Sequence, residues 1–212
     1  MKLSFSKNTL TVWATQTTAL ISCLCCLCCL LTACSEADDT IDEFANWQVR
    51  NDSYFSTQFA QAQQRIAAGD RNWRLIRCYA KSDSSFVEKQ QDYVIVERID
   101  TASAKETTSP LFTDSVSVHY RGRLMPSDNY PAGYEFDSSF RMEFDPVVAS
   151  PSTFALNSSL VLGFSTVLQH MRRGDHWRVW IPYQQGYGST ANQTIPGYST
   201  LIFELWLEDF WH

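Results

Sequence analysis

Five short motifs in the last hundred or so residues hold the side chains best suited to chemistry. They are VHYRG at 118–122, FDSS at 136–139, LVLGF at 160–164, IPYQQGYG at 181–188 and IPGYSTLIFEL at 195–205. Together they gather aromatic and branched apolar residues around a lone carboxylate, Asp137. An apolar hollow of this kind suits a reaction helped by desolvation, with no covalent step. Tyr187 is flanked by Gly186 and Gly188, and a ring on so free a backbone is a poor choice for packing.

The remaining titratable residues offer no competing chemistry. His119, His170, His176 and His212 are scattered, without partners for a Ser/His/Asp triad or a metal. His119 falls on the outer face of its strand. Cys23, Cys25, Cys26, Cys28 and Cys29 lie among leucines in one apolar run, where cysteine behaves as a small hydrophobe. Neither a metal nor a cofactor is expected.

Period-two alternation marks the strands that must carry these residues. In 114–121, Val116, Val118 and Tyr120 share a face opposite Ser115, Ser117 and His119. In 177–181, Trp177, Val179 and Ile181 oppose Arg178 and Trp180. In 200–207, Leu201, Phe203, Leu205 and Leu207 oppose Ile202, Glu204 and Trp206. Residues 92–99 read as another strand, less cleanly alternating. One stretch has helical spacing instead: Val161, Phe164, Val167 or Leu168, and Met171 form its apolar side. Ser158 or Ser159 caps it, and Gly174 lies beyond its end. A single short helix on an antiparallel sheet makes an α+β domain. The loops 124–134 and 141–153 belong on the surface near the rim of the hollow.

The 212 residues have room for one medium domain and an appendage. A net charge of −6 and the lack of a basic stripe argue against a nucleic-acid partner. The appendage is N-terminal. Lys2 and Lys7 precede an apolar run from Ala19 to Ala33, which is short for a membrane-spanning helix and suits a secretory signal. The run ends in Leu31-Thr32-Ala33-Cys34, which resembles the lipobox of bacterial lipoproteins. That resemblance implies cleavage before Cys34, lipidation of its sulfur and a membrane anchor, with outer-membrane sorting suggested by Ser35. An ordinary signal anchor or a plain cleaved signal is the other reading. With Cys34 lipidated, Cys78 has no intrachain partner and no disulfide framework is expected.

Residues 35–40 read as an acidic tether. Thr40 or Asp39 caps a helix with Asp42 and Glu43 in its first turn. Ile41, Phe44 and Trp47, then Phe55, Phe59 and Ile66, keep helical spacing up to a stop at Gly69-Asp70. This is one helix, or two broken near Asn51-Asp52-Ser53. Its aromatics are buried either against the C-terminal domain or in a homodimer. The chain thus divides into a signal peptide (1–33), a tether and helical stem (34–88) and a C-terminal domain (89–212).

In their order and spacing, the five motifs resemble the FKBP-type peptidyl-prolyl cis/trans isomerases, the family that binds macrolide immunosuppressants. The resemblance spans roughly residues 90–210 and implies a twisted antiparallel sheet wrapped around one short helix. It implies that Tyr120 and Phe136 are pocket walls and that Asp137 faces the twisting amide. It assigns Phe154 as another wall residue, and Leu160 and Val161 as the branched pair before the helix. Tyr187 becomes the phenol that bonds the substrate carbonyl, while Ile195 and Phe203 become apolar contacts. Phe164 takes the pocket floor, where active members usually carry tryptophan. The basic residue that often follows FDSS is displaced, with Arg141 one position early and Met142 in its place. The loop between Gly188 and Ile195 is slightly short. The family's envelope members with helical N-terminal dimer domains supply the homodimer reading of the stem. The implied partners are proline-containing polypeptides and the implied function is folding assistance in the cell envelope. A non-catalytic peptide-binding or chaperone module, or a lipoprotein whose domain is only a spacer, are the competing readings.

Overall fold

Valine-rich alternation produces an antiparallel sheet of seven strands among the described residues, which in this computed structural model are 42–81, 89–100, 107–145, 147–157 and 160–212. The strands are β1 (Trp73–Arg77), β2 (Tyr93–Asp100), β3 (Ser115–Arg123), β4 (Glu135–Ser138), β5 (Ser152–Ala155), β6 (His176–Ile181) and β7 (Leu201–Trp211). Their order is β1-β2-β6-β7-β3-β4, with β5 also pairing β3. The helices are α1 (Trp47–Ala67) and α2 (Leu162–Leu168). The signal segment, Cys34, Ile41 and the caps expected at Asp39, Thr40, Ser158 and Ser159 lie outside the described residues.

The inner face of the sheet carries the alternating set read from the sequence. Val94, Val96, Val116, Val118, Trp177, Val179, Leu205 and Leu207 close over Phe164, Val167 and Leu168 of α2. A β-carbon on Gly163 would lie 2.4 Å from Ile181 Cγ2, so α2 rides on β6 at a distance only glycine permits. Val161 holds the N-cap position in extended conformation without a side-chain cap. Instead, Ser165 Oγ donates to the Leu156 carbonyl at 2.7 Å and tethers the helix to the chain before it. Cys78 is free and fully buried.

The outer face is covered twice. Helix α1 covers one half, placing Phe55 and Ala62 on Trp73, Ile95 and Trp180. Trp73 and Trp180 stack at 5.6 Å, and Trp180 Nε1 donates to the Tyr54 hydroxyl at 3.1 Å. Phe55 of the stem is thus buried against its own sheet and Phe59 partly so, while Phe44 stays 44% exposed. The helix is unbroken at 51–53, because the Asn51 amide turns inward and donates to the Trp47 carbonyl at 2.9 Å. It also starts later than expected: Asn46 is left-handed at φ 52°, so Asp42 and Glu43 lie in a turn ahead of the helix. Ile66, near its end, is exposed. Strand β1 precedes residue 89 and pairs with β2, so the sheet starts inside the segment read as stem.

The loop after β4 covers the other half. Phe144 stacks on Trp206 at 4.2 Å, His176 stacks on Trp206 at 4.1 Å, and Phe140 meets Trp206 edge-on at 5.6 Å. Part of the loop expected at the rim of the hollow therefore lies on the opposite side of the sheet. His119 does face outward from β3, but the Phe144 ring 5.0 Å away leaves it only 3% exposed. Between the two coverings, Arg178 bridges Glu97 at 3.2 Å and Glu204 at 2.7 Å.

Burial holds the His119 and His176 imidazoles below the usual histidine range, against the nearby charges of Glu208 and Glu204 respectively. A lowered folded-state value means that the unfolded chain binds the proton more readily. Stability is therefore retained above the unfolded pKa of about 6.5 and lost as pH falls below it. Thermal melts should give a lower Tm at about pH 5 than at about pH 7, and the His119→Phe/His176→Phe pair should lose less over that interval. An equal drop in the double variant would show that these two rings do not set the acid sensitivity.

Candidate functional site

One edge of β3 is shared by two short strands. Residues 115–118 pair with β5 and residues 121–123 with β4, so His119 and Tyr120 have no strand partner on that edge. Ser139 fills the gap: its hydroxyl accepts from the Tyr120 amide at 3.0 Å and its own amide donates to the Tyr120 carbonyl at 2.9 Å. At this break β3 contributes Tyr120, β4 contributes Asp137 and β5 contributes Phe154 to one place. Helix α2 and the segment before it add Leu160, Val161 and Phe164. The turn after β6 adds Tyr187, and β7 adds Phe203.

These eight residues line a cavity of about 120 Å³. Phe164 is its centre, with ring centroids 5.0 Å from Phe203, 6.0 Å from Phe154 and 6.1 Å from Tyr120, all roughly edge-to-face. Such pairs suit the ring quadrupoles and hold the walls at fixed angles. Two residues expected here sit elsewhere. Phe136 stands behind the wall, edge-on to Phe203 at 5.5 Å. Ile195 is 3% exposed and belongs to the core, not to the cavity lining.

The Tyr120 hydroxyl donates to Asp137 Oδ2 at 2.8 Å. Burial, followed by the hydrogen bond and charge of Asp137, pushes the Tyr120 phenol far above its ordinary range. The Tyr187 phenol is also raised, by burial and then by the Asp137 charge. Both phenols stay neutral around pH 7, since an unperturbed tyrosine titrates near 10. Tyr120 spends its proton on Asp137. Tyr187, 47% exposed, is the phenol at the mouth.

Among the described residues, no cation pairs with Asp137. Arg121 turns outward to Glu135 at 3.1 Å and lies over the Phe140 ring at 4.5 Å. The partner of the acid is instead a phenol, that of Tyr120. Tyr187 is set by its turn: the amides of Gly186 and Gly188 both donate to the Tyr183 carbonyl, at 3.0 and 2.9 Å. Gly188 has φ 76°, a region that strains any residue with a β-carbon.

Gly122 is a site residue that sequence reasoning passed over, although it ends the VHYRG motif. An added β-carbon would sit 2.6 Å from Phe136 Cζ and 2.7 Å from Phe203 Cε1. The missing side chain is the space into which both rings lean. No signal in the sequence marks Ser139 as the plug of the split edge. Among the described residues, no group of three or more His, Cys, Asp or Glu is placed to hold a metal. No described helix is long and apolar enough to cross a membrane.

A sheet wrapped on a short helix, with an apolar hollow, is the architecture that the resemblance implied. Residues 106–208 match the family model described as FKBP-type peptidyl-prolyl cis-trans isomerase. A macrophage infectivity potentiator from Trypanosoma cruzi is 37% identical over 53% of this chain and 50% of its own length. An FK506-binding protein 2 from Aspergillus oryzae is 40% identical over 43% of this chain and 60% of its own. A solved peptidyl-prolyl cis-trans isomerase from Pseudomonas syringae pv. tomato is 22% identical, covering 74% of this chain and 96% of its own, with a TM-score of 0.47. Through residues 106–208 the chain is similar to the FKBP-type peptidyl-prolyl cis-trans isomerase family. It spans about half the length of the curated relatives it matches.

Gly122→Ala should force the Phe136 and Phe203 rings aside and cost about 1–3 kcal/mol, as overpacking does. Denaturant unfolding measures the loss, and an unchanged midpoint would mean that the rings have room to move.

Proposed function

We propose that this chain is a peptidyl-prolyl cis/trans isomerase that accelerates rotation about X–Pro bonds in exported polypeptides. The observation that carries the reading is an apolar cavity of about 120 Å³ whose one carboxylate is held by a buried phenol and whose mouth carries a second phenol. Rotation about an X–Pro bond is slow because it breaks amide resonance, a barrier of about 18–20 kcal/mol. The planar amide is the more polar form at oxygen, and the twisted form has lost that charge separation. Transfer into an apolar cavity therefore disfavours the planar form more than the twisted one, which is catalysis by differential binding. A thousandfold acceleration needs roughly 4 kcal/mol of such preference.

The roles follow from position. Phe154, Phe164, Phe203, Leu160 and Val161 receive the proline ring and exclude water. Tyr187 donates to the substrate carbonyl. Asp137, anchored by Tyr120, faces the amide as its nitrogen loses conjugation. Phe136 backs the wall, and Ile195 acts from the core by supporting the loop. No proton is transferred, so neither phenol should impose a pH dependence around neutrality.

We assign residues 1–33 to a signal peptide and Cys34 to lipidation. The protein would then be held on the envelope side of a membrane, and the outer membrane is the proposed site. Residues 34–88 precede the isomerase domain assigned to 89–212, although β1 belongs to the same sheet. Burial of Trp47, Phe55 and Ala62 on that sheet favours intramolecular packing over a homodimer. The lack of a described cation beside Asp137 favours a second reading, a peptide-binding module with little turnover.

A protease-coupled assay on a proline peptide separates the two readings. Acceleration supports the isomerase, whereas bound peptide without acceleration supports the module. Asp137→Ala and Tyr187→Phe should each lower kcat/KM by about tenfold, or 1.4 kcal/mol of transition-state stabilisation. If both keep full activity, the site assignment is wrong. Cys34→Ser should move the protein from the membrane to the soluble fraction; retention at the membrane would rule out the lipid anchor.

A further inference from the structure

The N-terminal end of α1 is bonded to the loop that follows Tyr187. Trp47 Nε1 donates to Ser199 Oγ at 2.8 Å, and that hydroxyl donates onward to the Pro196 carbonyl at 2.6 Å. The Thr200 amide donates to Asn51 Oδ1 at 2.7 Å, while Asn51 Nδ2 donates back to the Trp47 carbonyl at 2.9 Å. The contact is dry: Trp47, Asn51, Ser199 and Thr200 are 7%, 1%, 3% and 1% exposed. Two residues on, the path reaches the site. The Tyr198 amide donates to the Gly188 carbonyl at 2.9 Å, next to Tyr187, with Tyr198 itself held left-handed at φ 64°. Gly197 brings the two limbs of the loop together, since a β-carbon there would lie 2.3 Å from the Ser189 carbonyl oxygen. The other end of the loop is tied as well, where Gln185 Nε2 donates to the Gln91 carbonyl at 2.7 Å.

Trp47, Asn51 and Gln91 all precede residue 106, where the family match begins. The loop is therefore held from outside the segment that defines the family. A buried amide that satisfies a strand-end N–H and a helix carbonyl at once is costly to lose, since each orphaned group keeps its desolvation penalty. We infer that Asn51 and Trp47 are positioning residues for the substrate loop, and that α1 is part of the site's machinery as well as a cover for the sheet. The inference rests on the reading above in which Tyr187 meets the substrate carbonyl. It also links the site to the chain running toward Cys34, because the residues that set the loop stand at the first turns of the helix entered from that side.

The test uses the full chain in detergent, with amide hydrogen exchange and proline-peptide affinity measured on the same samples. Asn51→Ala should speed exchange at Thr200 and Tyr198 by about tenfold while the β3–β7 ladder keeps its protection. Peptide Kd and KM should rise by about fivefold with kcat little changed, the pattern of lost binding geometry. Ala62→Gly, which loosens the second half of α1 on Trp73 and Trp180, serves as the control and should lower Tm without either effect. If Asn51→Ala does not fold, Ser199→Ala, which removes the acceptor for Trp47, gives the same readouts. Unchanged exchange at Tyr198 and Thr200, or a loosened loop with unchanged Kd, overturns the inference. If the wild-type chain neither binds nor accelerates the peptide, the isomerase reading has failed separately. The exchange rates at Tyr198 and Thr200 then decide alone whether the clamp exists.

Discussion

The hydrogen bond from Tyr120 to Asp137 is the constraint on which the site depends. A carboxylate in an apolar hollow is costly unless something donates to it, and here no described cation does so. The donor is a phenol from the middle of a core strand, 2.8 Å away. That choice dictates the surroundings. The Tyr120 ring needs walls, which Phe164 provides edge-on and Phe154 and Phe203 at a tilt, and Asp137 needs a strand in register with Gly122, which β4 provides. The edge of β3 is split between β4 and β5 so that one carboxylate and one aromatic ring can reach the same cavity from opposite ends.

The outer face explains why the cavity keeps its shape. A curled sheet with one bare side would flex, and here each half of that side is weighted by aromatic rings. Helix α1 presses Phe55 against Trp73 and Trp180, while Phe144 and His176 sandwich Trp206. The second covering is the same loop that joins β4 to β5, so the strands carrying Asp137 and Phe154 are anchored through the sheet from behind. Phe164 meets three rings at once and so fixes the angles of the cavity walls. A loop pinned at both ends by residues ahead of the family-matched segment completes the frame around Tyr187.

Much of this was legible in the linear chain. Alternation located β2, β3, β6 and β7, since a side-chain period of two survives any packing that keeps one face buried. Helical spacing found both helices, and motif order brought eight of the ten candidate residues to one cavity. Local signals failed where a side chain had two possible roles. Asn51-Asp52-Ser53 looked like a break, but the Asn51 amide is used inward by a loop 149 positions away. Asp42 and Glu43 looked like a first helical turn, yet the left-handed Asn46 delays the helix. His119 was placed on the correct face, and nothing nearby in sequence announced that Phe144 would bury it.

What the amino-acid order determined by itself is the periodic and the chemical: which residues alternate, which apolar set forms a hollow, and that Asp137 is its lone acid. Those properties depend on neighbours two to four positions apart and on side-chain type. The tertiary structure alone decided the partnerships across long separations. It matched Tyr120 with Asp137 in place of a cation, leaned two rings into the space above Gly122, plugged the strand gap with Ser139 and joined the head of α1 to the loop beyond Tyr187. Each of these is a packing or hydrogen-bond choice between segments distant in the chain, and no short window of sequence contains both halves of it.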